Sequence, residues 1–115
     1  MPVAYPASMA VLLAALAAGL YGTVTRAPTM PVCMVGKPCS EPAAGVTLTF
    51  TRPGAPAISV VTGPTGKYRV LLSPGVYAVR AAGLSRIERL SPVAVVVRTG
   101  VVARRSFVID TGIRY

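Results

Sequence analysis

The stretch TGPTGKYRVLLSPGVYAV, residues 62–79, sets two short apolar runs against two turns built from glycine and proline. Tyr68, Val70 and Leu72 alternate with Lys67, Arg69 and Leu71, the period-two signature of a strand with one buried face. Ser73-Pro74-Gly75 then turns the chain into Val76 to Arg80, where Tyr77 and Val79 share a face. Glycine and proline interrupt this region too often for a helix to persist.

The same grammar extends in both directions. Upstream, Val46, Leu48 and Phe50 alternate with Thr47, Thr49 and Thr51, Arg52-Pro53-Gly54 marks a turn, and Ile58 to Thr62 reads as the next strand. Downstream, Val93, Val95 and Val97 precede the turn Thr99-Gly100, and Val101 to Asp110 follows with Phe107 and Ile109 on one side. With Tyr21 to Thr25 this predicts about seven strands at turn spacings of about eight to twelve residues, an all-β, antiparallel Ig-like or transthyretin-like sandwich. Arg105 breaks the pattern, because it has the inward parity of Phe107 and Ile109; a strand end or a bulge is expected there. The threonine row is expected on the wet side of its sheet.

Residues 62–79, with Gly66, Tyr68, Gly75 and Tyr77 at this spacing, resemble the core signature of the carboxypeptidase regulatory-like domains, in the transthyretin-like or prealbumin-like group of β-sandwiches. Tyr21-Gly22-Thr23-Val24-Thr25 and Gly45-Val46-Thr47-Leu48 resemble that family's first two strands, and the resemblance spans roughly Gly22 to Ile109. Gly63 stands where the family pattern has Asp, and the loop around Cys33 and Cys39 is an insertion. The ending Asp110-Thr111-Gly112-Ile113-Arg114 is similar to that of small bacterial exported proteins carrying such a domain. The resemblance implies a non-catalytic structural or interaction module of secreted, surface or envelope proteins. Hydroxyisourate hydrolases share the implied fold, but their chemistry looks to histidines and a terminal Tyr-Arg-Gly-Ser; this chain has no histidine and ends Ile113-Arg114-Tyr115.

The first residues differ in character. Met9 to Leu20 (MAVLLAALAAGL) is uninterrupted by charge, too short for a spanning helix but matched to the apolar core of a secretory signal. Ala15-Leu16-Ala17 or Ala17-Ala18-Gly19 offers a small-residue cleavage site, although no Lys or Arg precedes the run. An uncleaved anchor or an ordinary buried helix is the alternative. The expected organisation is residues 1–19 as signal peptide or anchor, beginning with an apolar helix, and residues 20–115 as the sandwich.

The two cysteines, Cys33 and Cys39, lie in PVCMVGKPC, residues 31–39. A structural zinc site needs four ligands, and two cysteines without any histidine do not supply them in one copy. Their spacing is not the Cys-x-x-Cys of a redox centre. In an oxidising compartment they are expected to form a local disulfide that stabilises by about 2 kcal/mol; in a reducing cytosol they would be two thiols.

Among 115 residues, 53% are apolar, Glu41, Glu88 and Asp110 are the acids, and ten arginines and two lysines bring the formal charge to +9. One domain with one core is expected. Without histidine neither a Ser/His/Asp nor a Cys/His arrangement forms, and three scattered carboxylates are no acid–base pair, so no enzymatic activity and no metal or other cofactor are expected. Two functions are consistent with these features. One is an exported structural or interaction module that docks on an envelope or surface protein through loops or an open sheet edge. The other is a secreted polyanion binder for a cell-wall polymer or anionic glycan, with Arg69, Arg80, Arg98, Arg104 and Arg105 as its basic surface; Arg69 and Arg80, in successive strands, are expected to share a face. A specific nucleic-acid partner is not expected, and membrane contact is expected only through a retained N-terminal segment.

Overall fold

A computed structural model describes residues 17–30, 32–36 and 38–113; the expected N-terminal apolar helix lies almost wholly outside the described residues. Those residues form ten β-strands: β1 Gly19–Ala27, β2 Glu41–Pro42, β3 Thr47–Thr51, β4 Ile58–Val61, β5 Lys67–Leu71, β6 Gly75–Ala81, β7 Arg89–Ser91, β8 Ala94–Val97, β9 Val102–Arg104 and β10 Phe107–Asp110. The expected count of seven is thus too low. Two short strands, β2 and β7, carry no alternation that a sequence reading detects, and the expected last strand is split in two.

Two sheets face each other. The first sheet is organised on β1, whose N-terminal half pairs with β5 on one edge and β9 on the other, while its C-terminal half pairs with β2 and β10 in the same order. β7 extends this sheet beyond β10, and β4-β3-β6-β8 makes the second sheet. The second sheet is antiparallel throughout, but β1 runs parallel to both β9 and β10, so the expectation of a wholly antiparallel sandwich is corrected. The reason is topological: the last segment of the chain enters beside the first and in the same direction.

The expected alternation decides the core. Leu48 and Phe50 from β3, Tyr77 and Val79 from β6, and Val95 and Val97 from β8 turn inward from one sheet. Leu20 and Val24 from β1, Tyr68 and Val70 from β5, and Phe107 and Ile109 from β10 meet them from the other. At the centre the rings of Phe50, Tyr68 and Phe107 lie 5.6–6.4 Å apart, bridging the sheets. Val93, expected on the face of Val95 and Val97, is instead exposed, since it lies in a bend just before β8 begins at Ala94. Thr47, Thr49 and Thr51 occupy the outer side of the second sheet, half-buried, with Thr49 hydrogen-bonded to Ser59 across β4.

The two turns of residues 62–79 are corners between sheets. β4 and β6 belong to the second sheet and β5 to the first, so each turn carries the chain across the sandwich. At the first corner the Gly63 N–H donates to the Lys67 carbonyl and the Gly66 N–H to the Gly63 carbonyl; Gly66 takes φ +77°, a left-handed backbone that glycine adopts without strain. Buried Thr62 ties this corner to the chain before β3, its hydroxyl donating to the Ala43 carbonyl and accepting from the Val46 N–H. At the second corner the Tyr77 hydroxyl donates to the Ser73 carbonyl at 2.6 Å, and Arg52 lies over the Tyr77 ring and donates to the Pro74 carbonyl.

Among the described residues the sandwich begins at Ala18, which is buried. Its carbonyl accepts from the Leu72 N–H, and the Gly19 N–H donates to the Val101 carbonyl. Cleavage after Ala17 leaves both bonds whole, whereas cleavage after Gly19 removes both. A chain beginning at Leu20 is expected to be about 2 kcal/mol less stable than one beginning at Ala18, at about 1 kcal/mol net per hydrogen bond. Thermal unfolding of the two chains checks this, and equal midpoints refute it.

Candidate basic face on the first sheet

Strand register brings one cationic row together. Tyr21 of β1 is paired with Arg69 of β5 on one side and with Arg104 of β9 on the other, so an exposed ring lies between two guanidinium side chains on the outer face of the sheet. Lys67 pairs with Thr23 one row away. These residues, with Val60 and Val61 from the neighbouring sheet edge, line an open groove of about 610 Å³. At roughly 4.8 Å per strand step, the Arg69 and Arg104 backbones stand about 10 Å apart with the tyrosine between them.

Of the five arginines expected to form the basic surface, the structure unites two in this row. Arg105 follows Arg104 directly, is exposed, and donates to the Arg104 carbonyl; Arg98 opens the turn that leads to β9. Arg80 is elsewhere: it lies on β6 opposite Thr49, on the outer face of the second sheet. Arg69 and Arg80 therefore occupy opposite faces of the sandwich, because the Ser73–Gly75 turn crosses between sheets rather than closing a hairpin. Tyr21 and Lys67 are not among the residues that the sequence alone assigns to the basic surface. Their alternation is visible in residue order, but the register that places them beside Arg104 is not.

The anomaly at Arg105 is resolved here. Pairing of β1 with β9 and with β10 keeps one offset, 83 positions, on both sides of the break, so no residue is inserted and no bulge resets the alternation. Arg105 lies at the expected strand end, just past β9, and the backbone rotates there. Its N–H still donates to the Tyr21 carbonyl, its side chain faces solvent, and its carbonyl accepts the Tyr68 hydroxyl at 2.5 Å. Burial pushes the Tyr68 phenol far above its ordinary range, against the weaker pull of the Arg105 charge, so the hydroxyl keeps the proton that it donates. Gly22, buried opposite Arg105, leaves space for that carbonyl; a Cβ on Gly22 would lie 2.8 Å from the Arg105 carbonyl carbon and closer still to its oxygen.

Charge along β1 is segregated. Glu41 is paired with Arg26, Asp110 with Ala27 on one side and Arg89 on the other, and Glu88 makes a 2.5 Å ion pair with Arg26. The Ser85 N–H and Arg26 hold the Glu88 carboxyl below the usual carboxylate range, against a smaller upward push from burial. All three acids of the chain therefore gather at the C-terminal end of β1. The half from Gly19 to Thr23 is left with cations alone.

At the acidic end the chain from Pro28 to Ser40 carries the expected disulfide between Cys33 and Cys39, with Cα atoms 5.5 Å apart. The Thr29 N–H donates to the Cys39 carbonyl and closes the neck of this loop. A second open groove of about 620 Å³ runs between the loop and β10, lined by Pro28, Cys39, Ser91, Val108 and Asp110. Among the described residues no group of His, Cys, Asp and Glu is arranged to hold a metal ion. No helix among them is long and apolar enough to cross a membrane. Comparison with family models, curated proteins and solved structures finds no match.

Proposed function

We propose that this protein is a non-catalytic binding module of an oxidising, extracytoplasmic compartment, and that it engages an anionic partner through the outer face of the first sheet. The observation that carries the reading is the in-register row Arg69–Tyr21–Arg104 with Lys67 beside it, on the half of β1 from which every acid is displaced. Guanidinium groups offer forked donors to carboxylate, sulfate or phosphate, and the field of a face of one sign draws anions from a distance. The disulfide supports the compartment, since such a bond persists where thiols are not kept reduced. The resemblance to carboxypeptidase regulatory-like domains supports a binding role over catalysis.

Retention of the purified protein on a sulfated polysaccharide matrix tests the proposal. Arg69→Ser with Arg104→Ser is expected to weaken retention and to lower the slope of log affinity against log salt by about two, one for each cation removed from the face. Arg80→Ser with Arg86→Ser, the latter exposed in the loop between β6 and β7, removes the same charge elsewhere and is expected to change retention much less. Equal losses from the two pairs would reduce the effect to net charge and remove the site.

A further inference from the structure

β5 is an open edge of the first sheet. It pairs with β1 on one side, and among the described residues no strand pairs with the other. The Leu72 N–H donates to the Ala18 carbonyl and the Gly66 carbonyl accepts from the Val24 N–H. Along β5 the backbone groups of Tyr68 and Val70 therefore face β1, and those of Lys67, Arg69 and Leu71 face the open side. The Lys67 carbonyl accepts from the Gly63 N–H, which leaves the N–H and carbonyl of Arg69 and of Leu71 turned toward a place where a further strand would lie. Lateral direction and side-chain direction alternate together along a strand, so the same three residues carry the exposed side chains: two cations and then Leu71, 63% exposed. Val60 and Val61 border the groove beside them, and Val61 is 60% exposed.

We propose that the β5 edge takes up an extended acidic segment of a partner protein as an added antiparallel strand. The proposal rests on the anion-binding reading above and names the class of partner. A polypeptide backbone carries N–H and C=O groups at the repeat of the β5 ladder, and a polysaccharide does not. Register fixes which side chains meet. The partner residue in the hydrogen-bonded pair with Arg69 lies directly opposite it, and the residue two positions on lies opposite Lys67. Carboxylates at both places set opposite charges across the strands, and an apolar residue two positions earlier meets Leu71. The residues between them turn toward Val60 and Val61. The occupant is not a second copy of this edge, because cations on an edge strand guard it against self-pairing and two β5 edges would set Arg69 against its counterpart. Nor does this chain hold the complementary segment, since Glu41, Glu88 and Asp110 stand far apart in sequence. Arg104 lies three strand steps from the added strand, about 14 Å, beyond the screening length of about 8 Å at physiological salt, so it contributes little to holding the peptide.

The probe is a fluorescently labelled peptide, Thr-Val-Val-Glu-Val-Glu-Thr, titrated with the full chain and followed by anisotropy. Methylating the backbone nitrogen of its first Glu, which faces β5 in the proposed register, is expected to weaken binding about ten-fold, the upper end for one lost hydrogen bond. Methylating the nitrogen of the Val between the two Glu, which faces away, is expected to change it little. Replacing both Glu by Thr is expected to abolish the dependence on Arg69. In the protein, Arg69→Ser is expected to weaken binding about five-fold, at the upper end for one cross-strand charge pair, and Arg104→Ser by less than about two-fold. Unfolding midpoints matching that of the unchanged protein show that both variants are folded. A peptide that binds no better than its Thr counterpart, or that responds equally to the two methylations, overturns the strand inference. Polysaccharide retention separates the two readings: if it depends on Arg69 and Arg104 while the methylations are equivalent, the anion-binding face stands without an added strand; if neither assay responds to Arg69, both readings fall.

Discussion

Phe107→Ala is expected to lower the unfolding free energy by about 3–5 kcal/mol, the range for deleting a fully buried aromatic ring. Phe107 is completely buried, with its ring 6.3 Å from that of Phe50 in the opposite sheet and 5.6 Å from that of Tyr68 in its own. Loss of the ring leaves a void at the point where the two sheets hold each other. Collapse to fill it would require β10 to shift, and β10 is held in ladders to β1 on one side and β7 on the other. For a domain with a total stability of about 5–15 kcal/mol, such a loss leaves a marginal fold. Urea unfolding of the variant beside Val108→Ala, a neighbour that faces outward and is 42% exposed, provides the measurement. A loss below about 1 kcal/mol for Phe107→Ala would show that the central cluster repacks freely, against the close-packed picture of the core.

Gly22→Ala is expected to lower stability by about 3 kcal/mol, at the upper end for forcing one extra carbon into a packed interior. The added Cβ meets backbone, not a movable side chain: the Arg105 carbonyl, which is turned inward to accept the Tyr68 hydroxyl. Relief requires separating β1 from the segment between β9 and β10 or turning the carbonyl away from Tyr68. The second route predicts a coupling. Tyr68→Phe alone is expected to cost about 1–3 kcal/mol by leaving that carbonyl without its donor, and substantially less in the Gly22→Ala background, where the bond is already broken. Additive losses in the double variant would mean that the carbonyl keeps its place and the strain is released elsewhere. Because Gly22 follows Tyr21, the same variant is also expected to loosen the cationic row.

Much of the local structure is legible from residue order. Val46, Leu48 and Phe50 read as one inward face and Thr47, Thr49 and Thr51 as the other, and the structure buries the first set and leaves the second at the surface. The cysteine pair reads as a loop staple in an oxidising compartment and as two thiols in a reducing one, and the structure joins Cys33 to Cys39. The basic face is only half legible. Residue order points to Arg69 and Arg104, but it also groups Arg80 with Arg69, because successive strands joined by a tight turn are ordinarily ladder partners. Tyr21 reads as part of a strand, with no hint that two cations flank it.

The distinction has a physical cause. Side chains alternate along an extended backbone with a period of two whatever the strand pairs with, so residue order alone determined which side chains share a strand face and where glycine and proline turn the chain. Nothing in that period names the neighbouring strand. Placing β5 beside β1 and β6 in the opposite sheet, and running β9 and β10 parallel to β1 across 83 positions, follows from burying all the apolar faces at once. Only the tertiary structure could therefore set Arg69 and Arg104 on either side of Tyr21, gather the acids at the far end of the same strand, and make a charged face from residues that are distant along the chain.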